Sequence, residues 1–283
     1  MNRKPYPTDL TEAQWDILES WIPPPRPGGR PRKTNMREVV NGIFYLTREG
    51  CSWRALPHDF PPWKTVYNYF EAWKRDGTWD QFLTALRRRV RRAAGRNPDP
   101  RVGCIDSQSG KTAYGGDEVG TDGGKKVRGR KRHIAVDTMG LLLAVVVTAA
   151  NVNDAQAAQR VFAQMPGKDY PRLEVVQADN QYHSDDLNRW LRVHHRPYRI
   201  WVVSRPPGER RFIPLVSRWV VERTLAWLGR YRRLSKDYEH LPESSEAIVK
   251  IAAIHHCLRR LCPKQETNSQ RFRFKGHRPK QVA

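Results

Sequence analysis

The chain has 283 residues, which is long enough for a large hydrophobic core and predicts about two domains. Its 51 Lys and Arg residues against 29 Asp and Glu give a formal net charge of +22, which favours a polyanionic partner, most naturally nucleic acid. No apolar run reaches the roughly 18–20 residues of a membrane span, so we expect a protein without membrane segments.

The basic charge is spread along the whole chain rather than confined to one end. A basic protein without a nucleic-acid partner remains the alternative at this point. The cysteines are too few for a disulfide framework and fit a reducing cytosol. They are Cys51, Cys104, Cys257 and Cys262. The last two follow His255 and His256, but this spacing matches no standard zinc finger, so a helix with buried thiols is favoured there.

The first hundred residues show helical periodicity with tight connections. Thr11 and Gln14 form a capping pattern at the first helix, and Gly50 ends the second. Short helices with aromatic anchors and a basic outer face predict an all-α, helix-turn-helix-type DNA-binding domain over residues 1–97. A small helical cap on an enzyme is the alternative. The predicted helices span residues 8–22, 35–50, 63–77 and 78–95.

Two parts of this helical region are candidates for DNA contact. The start of the third main helix is the usual place for base contacts in the major groove, and it carries Lys64, Thr65, Tyr67 and Asn68. The stretch "GGRPRK" (28–33) is a proline-held arm that suits a narrow minor groove, through Arg30 and Arg32. A plain linker explains that arm equally well.

A proline-rich boundary at 96–100 precedes a change of periodicity. Strand, hairpin, helix, strand, helix, strand and helix then follow, which predicts an α/β domain with a mixed sheet flanked by helices over residues 98–262. Residues 110–124 contain six glycines and predict a mobile loop without a nucleotide-binding motif. Residues 263–283 predict a basic, disordered tail.

Basic residues after the glycine-rich stretch are candidates for contact with a DNA backbone. A solvated basic hairpin is the alternative for this set. The residues concerned are Lys125, Lys126, Arg128, Arg130, Lys131 and Arg132.

Two predicted strands end in an aspartate. Asp106 closes "VGCID" and Asp179 closes "LEVVQAD", which delivers both carboxylates to the C-terminal edge of a sheet. Close carboxylates repel each other unless a cation neutralises them, and hard oxygen ligands favour Mg²⁺ or Mn²⁺. Two such ions about 3.5–4 Å apart can activate an attacking oxygen and stabilise a leaving oxygen at a phosphodiester.

Glu222 is the candidate for a third acid. It shares one face of a predicted helix, residues 218–239, with Ala226 and Gly229, which allows close approach to a sheet or to DNA. Arg218 lies four residues earlier, so an exposed salt bridge explains Glu222 equally well on spacing alone. The sequence around the other acids favours other roles. Asp137 lies in a turn signature, and Asp154 has the position of a helix N-cap. Glu209 lies in a loop, and Asp237 and Glu239 lie at the far end of the predicted helix.

Long segments resemble the DDE transposases of bacterial insertion sequences, specifically the insertion-sequence-five family. They are "IDSQSGKT", "GKKVRGRKRHIAVDTMGLLLAVVVTAANVND" and "RWVVERTLAWLGRYRRLSKDYE". The segments "YPTDLTEAQWDILESWIPP", "GRPRKTNMREVVNGIFYLTREGCSWRALP" and "PPWKTVYNYFEAWKRDGTW" resemble the helical N-terminal domain of that family. The likeness runs from about residue 6 to residue 261.

The resemblance implies an RNase H-like catalytic fold with Asp106, Asp179 and Glu222 as catalytic and metal-binding triad. It implies two Mg²⁺ ions per site, with Mn²⁺ as a substitute. Water attacks the phosphodiester at the transposon end, and the freed 3′-hydroxyl then attacks target DNA. Arg218 falls at the arginine of an arginine-x3-glutamate signature and is expected, with Lys111, to contact phosphate.

Other positions depart from the family pattern. Leu215 replaces the tyrosine of the signature, and Arg230 meets its later basic position only approximately. Asn180 and Gln181 follow the second aspartate where the family has small residues, and Gly110 replaces a branched apolar residue.

The expected partner is double-stranded DNA, both transposon ends and target, bound by a homodimer or a larger synaptic complex. The expected location is the bacterial cytoplasm, in association with the nucleoid. Two other functions stay open, a catalytically impaired DNA-binding repressor and a DNA nuclease without strand transfer.

Overall fold

The computed structural model describes residues 3–25, 28, 31–203 and 219–263. The N-terminal region consists of helices at the predicted places. Thr11 and Gln14 form the predicted capping box, and Gly50 ends the second helix. The four helices are α1 (Glu12–Glu19), α2 (Met36–Glu49), α3 (Trp63–Arg75) and α4 (Thr78–Ala93).

A mixed sheet follows the four helices. β3 pairs antiparallel with β1 on one side and with β2 and β4 on the other, and β1, β5 and β6 are parallel neighbours. Four antiparallel strands, β1 to β4, continued by the two parallel strands β5 and β6, confirm the expected RNase H-like mixed sheet. The strands are β1 (Val102–Lys111), β2 (Gly120–Asp122), β3 (Val127–Asp137), β4 (Leu142–Ala149), β5 (Val175–Ala178) and β6 (Arg199–Val202).

Helices cover both faces of the sheet. Ile105, Ala135 and Val176 bury against α5 (Asp154–Ala163) and α6 (Asp185–Val193) on one face. Cys104, Ile134 and Val136 bury against α7 (Trp219–Leu228) and α8 (Pro242–Leu261) on the other. None of the helices in the described ranges is both long and apolar enough to cross a membrane.

One hydrophobic core joins the N-terminal helices to the second face of the sheet. α8 is buried along most of its length and packs against α1, α2, α3 and α4 as well as β4. The cluster therefore contains Phe44 of α2, Phe82 of α4 and Ile251 of α8 together with Val145 of β4. The boundary predicted at residue 97 stays a prediction, because the apolar core is continuous across it.

Three local predictions are wrong. β1 runs past Asp106 to Lys111, because it keeps pairing with β3 after it leaves β5. The predicted helix 218–239 is helical only to Leu228 within its described part, where Gly229 interrupts it, and a 3₁₀ turn follows at Arg232–Leu234. Asn153, not Asp154, caps α5. The glycine-rich stretch contains β2, and the predicted tail lies outside the described residues beyond Pro263.

The turn between β3 and β4 is the junction of three elements. Asp137 accepts hydrogen bonds from the backbone nitrogens of Met139 (2.8 Å) and Leu141 (2.9 Å), as its turn signature predicts. It also forms a buried ion pair with Arg91 of α4. Gly140 has φ +77° and packs so closely on α7 that a Cβ would lie 2.7 Å from Thr224 Oγ1. Glycine is therefore required here by conformation and by contact.

A half-buried acid on α8 binds the backbone of β4. Glu246 Oε1 accepts a hydrogen bond from Val147 N at 2.9 Å. Burial raises the pKa of Glu246 to about 7, against an ordinary value of 4.5. The protonated form is therefore favoured by folding, and the stability that it contributes is lost as the pH rises from about 4.5 through 7.

We expect Asp137→Ala to lower the free energy of unfolding by about 3–5 kcal/mol, because Arg91 is left as an uncompensated buried charge. Urea denaturation measures the change. Glu118→Ala is the control, since Glu118 forms an exposed ion pair with Arg160 and its loss should leave the midpoint unchanged. Equal effects in the two variants would contradict the structural role of Asp137.

We expect Glu246→Gln to be more stable than the parent at pH 8 by on the order of 3 kcal/mol, with a smaller difference at pH 5. The amide keeps an acceptor for Val147 N but carries no charge that burial could penalise. Denaturation at both pH values measures this, with Glu243→Gln, exposed on the same helix, as the control. A pH dependence identical to that of the parent would refute it.

Candidate active site

The pairing of β1 with β5 sets the positions of two aspartates. The strands are parallel with Val102 opposite Val175 and Cys104 opposite Gln177. Cys104 Sγ lies 3.7 Å from Gln177 Oε1, so these side chains share a face of the sheet. Asp106 and Asp179 come two residues after this last pair, and the alternation of side chains along a strand assigns both to that same face.

Backbone amides hold both aspartates. Ser107 N donates to Asp106 Oδ1 at 2.7 Å, and Gln181 N donates to Asp179 Oδ1 at 2.9 Å. The second bond opens a 3₁₀ turn, Asn180–Tyr182, which buries the ring of Tyr182. Burial raises the pKa of Tyr182 well above its usual value, and the negative charges of Asp154, Asp106 and Asp179 add to this effect. Tyr182 is therefore a neutral side chain next to both aspartates.

A buried polar cluster lies behind β1, on the face covered by α5 and α6. Asp154 accepts hydrogen bonds from Ser107 Oγ (3.1 Å) and Lys131 Nζ (2.9 Å). His133 Nδ1 lies 3.7 Å from Asp154, and burial lowers the pKa of His133 to about 4, so the ring is neutral at physiological pH. This cluster anchors β1 at the residue that follows Asp106.

Glu222 is exposed on α7, the helix that packs over β1 and β3. Val220, Thr224 and Trp227 form the flank that approaches Gly140, next to α8. Glu222 lies about 200° around the helix from Val220, on the opposite flank. α7 packs over β1 and β3, whereas α8 covers β4.

The three acids form an open arrangement in this conformation. Among the described residues, which include Asp106, Asp179 and Glu222, no three Asp, Glu, His or Cys side chains are grouped closely enough to hold one metal ion. The donor chemistry nevertheless fits a hard divalent cation, because carboxylate oxygens are the ligands that Mg²⁺ and Mn²⁺ prefer. Asp106 and Asp179 follow the last paired residues of β1 and β5, and Glu222 lies on α7, which packs over β1 and β3.

Buried cations on β3 hold the segment that follows α7. Arg130 donates to Glu239 O (2.7 Å) and His240 O (2.6 Å) and pairs with Asp237 at 3.3 Å. Arg132 donates to Leu234 O at 2.6 Å. These bonds tie the chain after α7 to the sheet.

The predicted DNA contacts at Arg130, Lys131 and Arg132 are therefore wrong. β3 is a central strand covered on both faces, so these side chains are buried and bonded within the protein. Arg130 and Arg132 bind the segment after α7, and Lys131 binds Asp154. The rest of that set is exposed, namely Lys125, Lys126 and Arg128.

Lys111 is exposed, and its predicted contact with phosphate stays a prediction. It lies five residues beyond Asp106 on one continuous strand, about 17 Å further along and on the opposite face. Arg230 is exposed just after α7. Arg30 and Arg218 lie outside the described residues, as do Glu209 and Leu215, so the Arg218–Glu222 salt bridge has no structural account.

The residues of the helical region that were predicted to contact DNA differ in solvent accessibility. Lys64 and Asn68 are exposed on α3, whereas Thr65 is half-buried. Tyr67 packs its ring against Trp53, with ring centroids 5.2 Å apart. Arg32 is half-buried and donates to Pro23 O at 2.8 Å.

Comparisons with known proteins agree on one class. Residues 10–83 match the model of a family described as transposases of the IS4/5 family, and residues 97–257 match the transposase DDE domain. A protein of Burkholderia cepacia, described as the transposase for insertion sequence element IS402, is 32% identical over 181 residues, 59% of this chain and 82% of the relative. An uncharacterized 16.2 kDa protein of the same element is 27% identical over 39% of this chain and 78% of that protein.

Similarity to a solved structure is weaker. The paired-end complex of Mos1 transposase with its left transposon end is 11% identical, with a TM-score of 0.23. The match covers 66% of this chain and 64% of the Mos1 chain.

We expect Fe²⁺ in place of Mg²⁺, with peroxide, to cut the backbone near residues 106, 179 and 222, because hydroxyl radicals form at the bound ion. Mass spectrometry of the fragments locates the cuts. Asp106→Ala should abolish all three cuts together, whereas Asp186→Ala, an exposed acid on α6, should preserve them. Cuts at 106 and 179 without one near 222 would remove Glu222 from the site.

Proposed function

Because this chain belongs to the DDE transposases of the IS4/5 insertion-sequence family, we propose that it cuts and joins DNA at the ends of an insertion sequence, with Asp106, Asp179 and Glu222 as its acidic triad. The observation that supports the assignment is the parallel pairing of β1 with β5, whose last pair, Cys104 with Gln177, lies two residues before Asp106 and Asp179, together with the packing of α7 over β1. Glu222, exposed on α7, is our proposed third acid.

The family uses divalent metal ions, and we assign them here to these three carboxylates as two Mg²⁺ ions, with Mn²⁺ as a substitute. Bound there, the ions supply Lewis acidity that activates the attacking oxygen and neutralises charge on the phosphate. Ser107 N and Gln181 N keep the aspartates oriented, and the neutral Tyr182 supports the turn beneath Asp179. These contacts limit the reorganisation needed when DNA arrives.

The reaction needs no covalent protein intermediate. The oxygen of a water molecule bonds to the phosphorus at the transposon end, and the leaving 3′-oxygen takes up a proton. That 3′-hydroxyl then attacks a target phosphodiester in the same site, and the new bond replaces the one broken. Arg218, four residues before Glu222, remains our proposed phosphate contact.

DNA recognition is assigned to the helical region and the exposed basic residues. Lys64 and Asn68, exposed on α3, are our base-contact candidates, with Thr65 and Tyr67 behind them and Arg30 and Arg32 as a minor-groove arm. Holding two ends together requires a homodimer or a larger synaptic complex, and the DNA substrate places the protein at the bacterial nucleoid. The exposed residues assigned to the DNA backbone are Lys125, Lys126, Arg128 and Arg230.

The open arrangement of the acids supports a second candidate, a transposase-derived protein that binds DNA without cutting it. The three carboxylates are not gathered around one point in this conformation. Metal-dependent cleavage of terminal-repeat DNA separates the two candidates directly, since a repressor binds the repeats but leaves them intact.

We expect Asp179→Asn to reduce cleavage of terminal-repeat DNA by about 1,000-fold or more, because neutralising a ligand removes several kcal/mol of transition-state stabilisation. Gel-resolved cleavage in Mg²⁺ and Mn²⁺ measures the rate, and gel-shift titration should show unchanged DNA binding. Asp186→Asn serves as the matched control on an exposed acid. Binding by the parent protein without cleavage in either metal would favour the repressor.

A further inference from the structure

A basic groove lies between α6 and the chain that enters β6. Its volume is about 460 Å³. Four arginines line it together with Asn188, Tyr198 and the carboxylate of Asp185: Arg189, Arg192, Arg196 and Arg199. The groove is separate from the acidic site and contains none of the residues assigned to DNA contact above.

The charge in the groove is positive and poorly compensated by the protein itself. From Leu187 to Val203 the sequence contains four arginines and no Asp or Glu. Arg189 pairs with Asp186 at 3.4 Å, but both side chains are largely exposed, so that pair is weak. Arg192 and Arg199 are exposed. A ligand with several negative charges fits this surface.

Arg196 is held in place within the groove. Its guanidinium carbon lies 5.6 Å from the centre of the Trp190 ring, and its Nε is buried with no hydrogen-bond acceptor among the described residues. His194 stacks on the same ring at 4.0 Å and bonds Trp190 O at 2.9 Å. Tyr198 OH donates to Met165 O at 3.0 Å and anchors the entering chain. Arg196 and Tyr198 are therefore held in place before any ligand binds.

The groove faces a different side of the molecule from the helical region. Arg199 is opposite Val175 in the β5–β6 pairing, about 13 Å along the sheet from the level of Asp179. α6 belongs to the face covered by α5 and α6, whereas α1–α4 pack with α8 on the other face. A duplex bound by α3 is therefore separated from the groove by the sheet.

We propose that this arginine groove binds the phosphate backbone of the target DNA duplex, without reading its sequence. Guanidinium groups match phosphate oxygens in charge and geometry, and backbone contacts position a duplex but carry no sequence information. The proposal rests on the proposed function, because a strand-transfer enzyme has to hold a second DNA whose sequence is not that of its ends.

The test measures binding of the full chain to a duplex that lacks terminal repeats, in EDTA and over a series of salt concentrations. We expect Arg192→Gln with Arg199→Gln to lower the slope of log affinity against log salt by about 2, since each lost phosphate contact contributes roughly 0.9. Adding Arg196→Gln should lower it further. The same variants should lose less affinity for terminal-repeat DNA.

Arg101→Gln with Arg160→Gln is the matched control, because it removes two positive charges that are already paired with Glu174 and Glu118. An unchanged slope in the groove variants, or an equal fall in the control, overturns the proposal. An equal loss on terminal-repeat DNA overturns it too. Binding in EDTA does not depend on cleavage, so failure of the groove is distinguishable from failure of the proposed catalytic function.

Discussion

The rest of the candidate site depends on the register between β1 and β5. Side chains alternate along a strand, so a slip of one residue would move Asp179 to the face covered by α5 and α6. Val176 and Ala178 resist that slip because they are buried against those helices. The Cys104–Gln177 contact resists it on the other face. Apolar burial on one side of a four-residue strand thus positions an acid on the other.

The basic residues of this chain serve two distinct purposes. Some of them, on the surface, give the protein its affinity for a polyanion, but Arg130, Lys131 and Arg132 bind carboxylates and carbonyls in the interior. Their role is to fix chain segments to β3, including the one that follows α7. A net charge therefore overestimates the charge available to DNA. The hydrogen bonds of Arg130 to the segment after α7 also connect α7, and therefore Glu222, to a central strand.

The sequence was sufficient for the order of elements, the capping box at Thr11, the turn at Asp137 and the two strand aspartates. These features depend on local patterns that a reader can recognise within a few residues. The burial of Arg130 could not be predicted in this way, because its partner Asp237 is more than a hundred positions away. The same applies to Asp154, which accepts hydrogen bonds from Ser107 and Lys131, two residues that are distant in sequence and meet only in the fold. The local pattern at Asp154 suggested a cap that Asn153 provides instead.

The continuous core around α8 bears on how such a protein can change its target over evolution. In a chain of loosely tethered modules, a new DNA-reading unit can be acquired by recombination. Here a foreign helical unit would leave the apolar surface of α8 without its partners from α1–α4. Under our assignment of DNA recognition to α3, new end sequences are reached by substitutions at exposed positions such as Lys64 and Asn68, while the shared interior is inherited intact.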